Sequence, residues 1–118
     1  MKVIVAGGRD FEDRGYMEIS IRGLIQKADI PRDFELVCGM ARGADMVAYT
    51  LCKKKGNMLH EFPADWDRYG KGAGHRRNRE MGDFADCLIA FWDGESKGTK
   101  GMIDYMRKLG KPVFVFPY

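Results

Sequence analysis

Short apolar runs alternate along the chain with amphipathic stretches, and three of the runs stop abruptly at a glycine-rich, charged turn. Val3-Ile4-Val5-Ala6 meets Gly7-Gly8-Arg9-Asp10-Phe11, Leu36-Val37-Cys38 meets Gly39-Met40-Ala41-Arg42-Gly43-Ala44-Asp45, and Cys87–Trp92 meets Asp93-Gly94-Glu95-Ser96-Lys97-Gly98-Thr99. Unbroken apolar runs of this length suit strands buried on both faces, as in a parallel sheet covered by helices. The pattern predicts five strands alternating with four helices. The strands are Lys2–Ala6, Glu35–Cys38, Asn57–Phe62, Asp86–Trp92 and Val113–Phe116. A helix spans about Gly15–Lys27, with Ile19, Ile21, Leu24, Ile25 and Ala28 on its apolar face. A second starts near Gly43 and ends in Lys53-Lys54-Lys55-Gly56, where cations suit the negative helix end and glycine permits a left-handed stop. A third covers about Ala73–Asp83 after a loop at Pro63–Gly70, and a fourth runs from about Gly98 to a stop at Gly110.

Strict alternation of strand and helix implies parallel pairing through right-handed crossovers. The apolar density of strands one and four makes them central, whereas the broken pattern of strand three places it toward an edge. The expected architecture is a three-layer, Rossmann-like, doubly wound α/β fold with strand order 3-2-1-4-5. Winding then reverses between strands one and four, and the crevice at their carboxyl ends is where open sheets bind ligands.

At 118 residues the chain is expected to be one domain, residues 1–118, with core enough to fold without staples. No apolar run reaches the roughly 20 residues of a membrane span, and no basic-plus-apolar leader opens the chain, so a cytoplasmic, membrane-free protein is expected. Three cysteines form no paired motif, and Cys38 and Cys87 fall inside strands as small buried hydrophobes. With two histidines, no metal site is expected, and nothing calls for a cofactor. The net charge of +3 is modest but uneven: Arg68, Lys71, Arg76, Arg77 and Arg79 crowd into one stretch with no carboxylate among them.

The turns carry the candidate chemistry. Gly7 and Gly8 let backbone donors approach a ligand while Arg9 reaches an anion; the same residues also suit a tight turn with a solvated arginine. Gly39 and Gly43 bracket a turn that sets Arg42 at a helix mouth, fit for a bidentate phosphate contact. Asp45, in the first helical turn, either complements the dipole, orients Arg42 or binds a ribose hydroxyl. Asp93, Ser96, Gly98 and Thr99 form another helix entrance with free N–H groups and hydroxyls, an anion site. A helix dipole supplies about 0.3–1 kcal/mol, whereas micromolar affinity requires about 8 kcal/mol, so several donors and an apolar platform must act together. Trp66, Tyr69 and Trp92 are the aromatics available to stack on a base, though Trp92, at a strand end, is better suited to the core. On the helix near Arg76, Arg77 and Arg79, Arg76 and Arg79 share a face, and Arg77 points toward the side of Met81.

These motifs together resemble the SLOG superfamily of Rossmann-like nucleotide-ligand proteins, and within it the small YspA-like branch found in phages and bacteria. The resemblance runs through Gly7–Phe11, Gly39–Asp45, Ala64-Asp65-Trp66, Gly74-His75-Arg76-Arg77-Asn78, Ala85-Asp86, Phe91–Gly94 and Ser96–Thr99. It implies a ligand site formed by these residues, including Asp65, Arg76, Arg77 and Asn78. The Gly39–Asp45 turn is similar to that of the DNA-processing protein A family, which implies single-stranded DNA as a partner. Arg77 followed by Met81, with Gly98-Thr99 later, resembles the lonely-guy phosphoribohydrolases and implies Arg77 as a catalytic residue. In that family a glutamate follows the glycine-threonine pair; here Lys100, Gly101 and Met102 follow it, so that carboxylate is missing.

Three functions are therefore expected in order. The first is binding of a nucleotide or nucleotide-derived ligand, ADP-ribose-like or phosphoribosyl, for sensing or sequestration. Next comes a nucleotide N-glycosidase or deoxyribosyltransferase, and last a single-stranded nucleic-acid binder. A homodimer is compatible with each.

Overall fold

A computed structural model describes all residues, Met1–Tyr118. Five parallel strands, β1 (Lys2–Gly7), β2 (Glu35–Cys38), β3 (Leu59–Glu61), β4 (Cys87–Trp92) and β5 (Val113–Pro117), pair in the order β3-β2-β1-β4-β5. This is the doubly wound order expected from the alternation. β1 and β4 are the sheet's centre, with Val3 opposite Cys87 and Gly7 opposite Phe91.

Successive side chains of a strand point to opposite faces, and the two cores follow that parity. Val3, Val5, Leu36, Cys38, Ile89 and Phe91 face helices α1 (Arg14–Gln26) and α2 (Ala44–Lys55), burying Met17, Ile21, Leu24, Ala48 and Leu51. Ile4, Val37, Leu88 and Ala90 face α4 (Ala73–Phe84) and α5 (Lys97–Lys108), burying Met81, Met102, Ile103 and Met106. The helices before and after the reversal thus lie on opposite faces, and the β1 and β4 turns diverge above the sheet.

Three local expectations differ from the structure. Strand three is only Leu59–Glu61; Met58 stays 60% exposed, because an edge strand has a neighbour on one side only. The loop after Pro63 contains a short helix, α3 (Trp66–Tyr69), whose N-terminus is capped by Asp65 Oδ1 accepting from Arg68 N, and a 3₁₀ turn then leads into α4. On α1 the buried face is Met17, Ser20, Ile21 and Leu24, while Ile19 is 69% exposed. Ile19 lies two residues from both Met17 and Ile21, about 200° around the helix from each. Ala28 turns left-handed (φ 61°) past the helix end and faces no core.

β1, β4 and α2 approach too closely for side chains at two glycines. A Cβ on Gly7 would stand 2.3 Å from Phe91 O and 2.9 Å from Ala44 Cβ. Gly43 caps α2 with φ 82° and ψ −132°, and a Cβ there would stand 2.3 Å from Gly8 O. Gly43→Ala should therefore lower stability by about 1–3 kcal/mol, from strained backbone plus collision. Gly101→Ala, on an exposed helical position with open space around it, should instead raise it by about 0.5–1 kcal/mol. Urea unfolding of the two variants checks this opposition of sign.

Candidate functional site

The β1 turn and the α2 entrance are joined through one carbonyl. Gly8 O accepts from Phe11 N (3.2 Å) and from Ala44 N (3.1 Å), and Gly8 N donates to Phe91 O (3.2 Å). Gly8's own amide and carbonyl thus serve the fold. Its missing side chain seats the Tyr118 hydroxyl, which donates to Asp10 Oδ1 at 2.6 Å. Burial, then that hydrogen bond, pushes the Tyr118 phenol well above its ordinary range.

Immediately beyond, Asp45 enters from α2 and Arg77 from α4, on opposite faces of the sheet, and they meet over the end of β2. Gly39 lies between them: a Cβ there would stand 2.9 Å from both Arg77 Nη1 and Asp45 Oδ2. Arg77 donates to Gly39 O and to Phe62 O (3.5 Å), and its Nε donates to Asn78 Oδ1 (3.0 Å). Burial depresses the Arg77 pKa, with Asp45 opposing. Asp45 is 6% exposed and accepts from Ala41 N at 3.2 Å. Burial raises its pKa to about 6, although the Ala41 amide and the Arg77 and Arg9 charges pull it down. A carboxyl group that exchanges its proton at about pH 6, beside two guanidinium groups, gives the site acid–base capacity together with positive charge. The adjacent Cys38 thiol is pushed up to about 12 by burial and is inert as a nucleophile.

The third side of the site is the α5 entrance. Asp93 Oδ1 accepts from Ser96 N (2.8 Å) and Glu95 N (2.9 Å), bonds that hold its pKa below the usual carboxylate value. Ser96 Oγ caps Thr99 N at 3.5 Å and lies 3.1 Å from Thr99 Oγ1. Lys100 N makes the first intrahelical bond, to Ser96 O, which leaves the Lys97 and Gly98 amides without acceptors. Two unpaired N–H groups at a helix start attract an anion.

These three entrances enclose a cleft of about 430 Å³ at the carboxyl ends of the strands. Of the residues expected at the site, Gly7, Gly8, Arg9, Arg42, Asp45, Arg77, Asn78, Asp93, Ser96, Gly98 and Thr99 line it. Gly39 lies beneath Arg77 and Asp45, and Gly43 opens onto a neighbouring hollow. Asp65, Trp66 and Arg76 are absent from the lining. Asp65 caps α3, half-exposed Trp66 packs against Gly74, and Arg76 covers the Tyr69 ring at 4.1 Å while pairing with Glu80. They form a separate basic, aromatic shoulder. Trp92 is tied down, donating through Nε1 to Ser96 O at 3.0 Å, and it packs on the α4/α5 core. No aromatic lines the cleft; its apolar floor is Ala6, Met81 and Met102. The methionines fall at core spacing on their helices, which hides their second role, and no local signal ties Tyr118 to Asp10, 108 positions away.

The raised Asp45 pKa has a sign. Protonation favours the folded state, so the stabilisation is complete below about pH 4, the unfolded value, and is lost as pH rises through about 6. Between pH 4.5 and 7.5 the stability of Asp45→Asn relative to the unsubstituted protein should rise by about 2 kcal/mol. Paired urea melts at the two pH values measure that difference.

Comparison with known proteins gives this geometry a context. The profile of the family described as YspA, cpYpsA-related SLOG matches residues 1–69. The gene 61 protein of Mycobacterium phage D29 is 33% identical over 121 aligned residues, which span 98% of this chain and 95% of that one. Among solved structures, DNA processing protein A from Streptococcus pneumoniae is similar with a TM-score of 0.75 at 20% identity, over 99% of this chain. The same protein from Helicobacter pylori, described for its single-stranded DNA binding mode, gives 0.67 at 20% identity over the whole of this chain. This chain spans 50% of the former and 66% of the latter, and at that identity the likeness is one of fold.

Proposed function

The chain belongs to the YspA, cpYpsA-related SLOG family, and we propose that its cleft binds a phosphate-bearing, nucleotide-derived ligand for sensing or sequestration. The observation that carries this reading is the convergence of Arg9, Arg42 and Arg77 with the unpaired Gly98 amide on one cleft of about 430 Å³. That volume lies near the lower end of the roughly 300–1,000 Å³ typical of small-molecule sites, room for a single nucleotide unit. The phosphate sits at the α5 entrance, held by the Gly98 amide, the Ser96 and Thr99 hydroxyls and Arg9. Asp45 accepts from a sugar hydroxyl, and the buried Met81 and Met102 close the apolar floor beneath it.

Calorimetry with AMP and ribose 5-phosphate tests this reading. Both should bind, and Arg9→Ala should weaken each by at least about tenfold, the loss of one charge-assisted hydrogen bond. No heat from either compound at millimolar concentration would end the proposal.

A second reading is N-glycoside hydrolysis, and the observation that favours it is Asp45 lining the same cleft as Arg77. Asp45 stands in the cleft with a pKa of about 6, and so offers acid–base capacity where the glutamate after Thr99 is missing. On this reading, incubation with AMP releases free adenine, and Asp45→Asn abolishes release while AMP still binds. Chromatography of the incubated mixture decides it; an unchanged nucleotide leaves binding alone.

Nucleic acid is a separate partner reading, supported by the shoulder rather than the cleft. Trp66–Arg79 holds five cations and one carboxylate in a chain whose net charge is +3. The shoulder's exposed Trp66 and its arginines suit a single strand.

A further inference from the structure

The cleft is not the only hollow that Arg9 and Arg42 border. A second, of about 650 Å³, opens on their far side between the approach to α1 and the outer face of α2. Arg9, Asp10 and Arg42 line both hollows. The wall between them is therefore a ridge built from two turns, and Gly43 keeps it thin: a Cβ there would stand 2.6 Å from the Arg9 Cα.

Charge and surface in the outer hollow match what the inner one lacks. Arg9, Arg14 and Arg42 are exposed and none of them makes an ion pair. Three guanidinium groups stand around the hollow against the two carboxylates of Asp10 and Glu12, which leaves its rim positive, and Asp10 is already engaged by Tyr118. Met46 and Val47 on α2, above the buried Phe11, give an apolar wall, and Thr50 adds a hydroxyl. An apolar wall with a few polar groups receives a base and its sugar, while the arginine ridge receives an anion. The amides of Asp45 and Met46 in the first turn of α2 make no hydrogen bond; Asp45 lines the inner hollow and Met46 the outer one.

We propose that the two hollows are successive subsites for one ligand, a dinucleotide whose bridging phosphates lie over the Arg9–Arg42 ridge with one nucleoside on either side. This rests on the nucleotide reading of the inner cleft and extends it: the ligand has two nucleoside ends, and Arg14, Val47 and Thr50 select for the second. A mononucleotide fills the inner subsite and leaves the outer arginines unused.

The test compares AMP with two dinucleotides by calorimetry on the full chain: P1,P2-di(adenosine-5′) diphosphate, bridged 5′ to 5′, and pApA, bridged 3′ to 5′. At least one dinucleotide should bind about tenfold tighter than AMP, or more. Thr50→Trp fills the outer hollow from an exposed helical position. It should bring the dinucleotide down to the affinity of AMP and leave AMP itself unchanged, and Arg14→Ala should act in the same direction. Equal affinities for AMP and both dinucleotides would overturn the two-subsite proposal while leaving the inner cleft's reading intact. A Thr50→Trp variant that weakens AMP as much as dinucleotide would do the same. If neither AMP nor any dinucleotide binds, the nucleotide reading itself falls.

Discussion

The structure depends on how closely three chain segments approach at the head of β1. Gly7 lets β1 lie against Phe91 O and Ala44, Gly43 lets α2 begin against Gly8 O, and the Ala44 amide closes the contact with a hydrogen bond. A side chain at either glycine would push α2 away from the β1 turn. The Arg9–Arg42 ridge and the position of Asp45 would move with it. The glycines therefore act first as packing residues, and the shape of the cleft is a consequence of the distance they allow. This constraint also accounts for the polar chemistry nearby. Asp45 is buried because α2 starts so close to the sheet, and burial outweighs the two neighbouring arginines in setting its pKa.

Arg77 is the counterpart on the opposite face. It reaches over the end of β2 to the carbonyls of Gly39 and Phe62, so a residue of α4 ties down the turns after β2 and β3. Removing its side chain would leave those carbonyls with fewer partners in a half-buried setting, where an unsatisfied group costs about 1–3 kcal/mol. Arg77 is thus a structural clasp as well as a cleft residue. A loss of binding on its substitution alone would not distinguish the two roles, whereas Arg9, exposed and unpaired, has no such double duty.

The fold was legible because its signals are local and repeat: apolar runs, helical periods between them, and glycine turns at consistent places. The order of the strands followed from which runs were most apolar. Most cleft residues were legible for the same reason, since a doubly wound sheet gathers its strand-end turns on one rim. What escaped were roles set by distant contacts. Trp66, Asp65 and Arg76 share a motif with Arg77, yet the intervening α3 and 3₁₀ turn carry them away from the cleft. Trp92 sits at a strand end next to the site, but its indole N–H is drawn to Ser96 O. Tyr118 reaches Asp10 across nearly the whole chain, and neither residue's surroundings announce the other. Asp45 was ambiguous in sequence, and its burial resolves only in three dimensions, where helix and sheet close over it.

The central claim is that negative oxygen atoms settle among the turns above β1 and β4. Amide chemical-shift mapping with AMP addresses it directly, residue by residue and without any substitution. The account predicts the largest shifts at the Lys97 and Gly98 amides, with smaller ones along Arg9, Arg42 and Asp45. Shifts confined to the shoulder around Trp66 and Arg76, or none at saturating nucleotide, would contradict it.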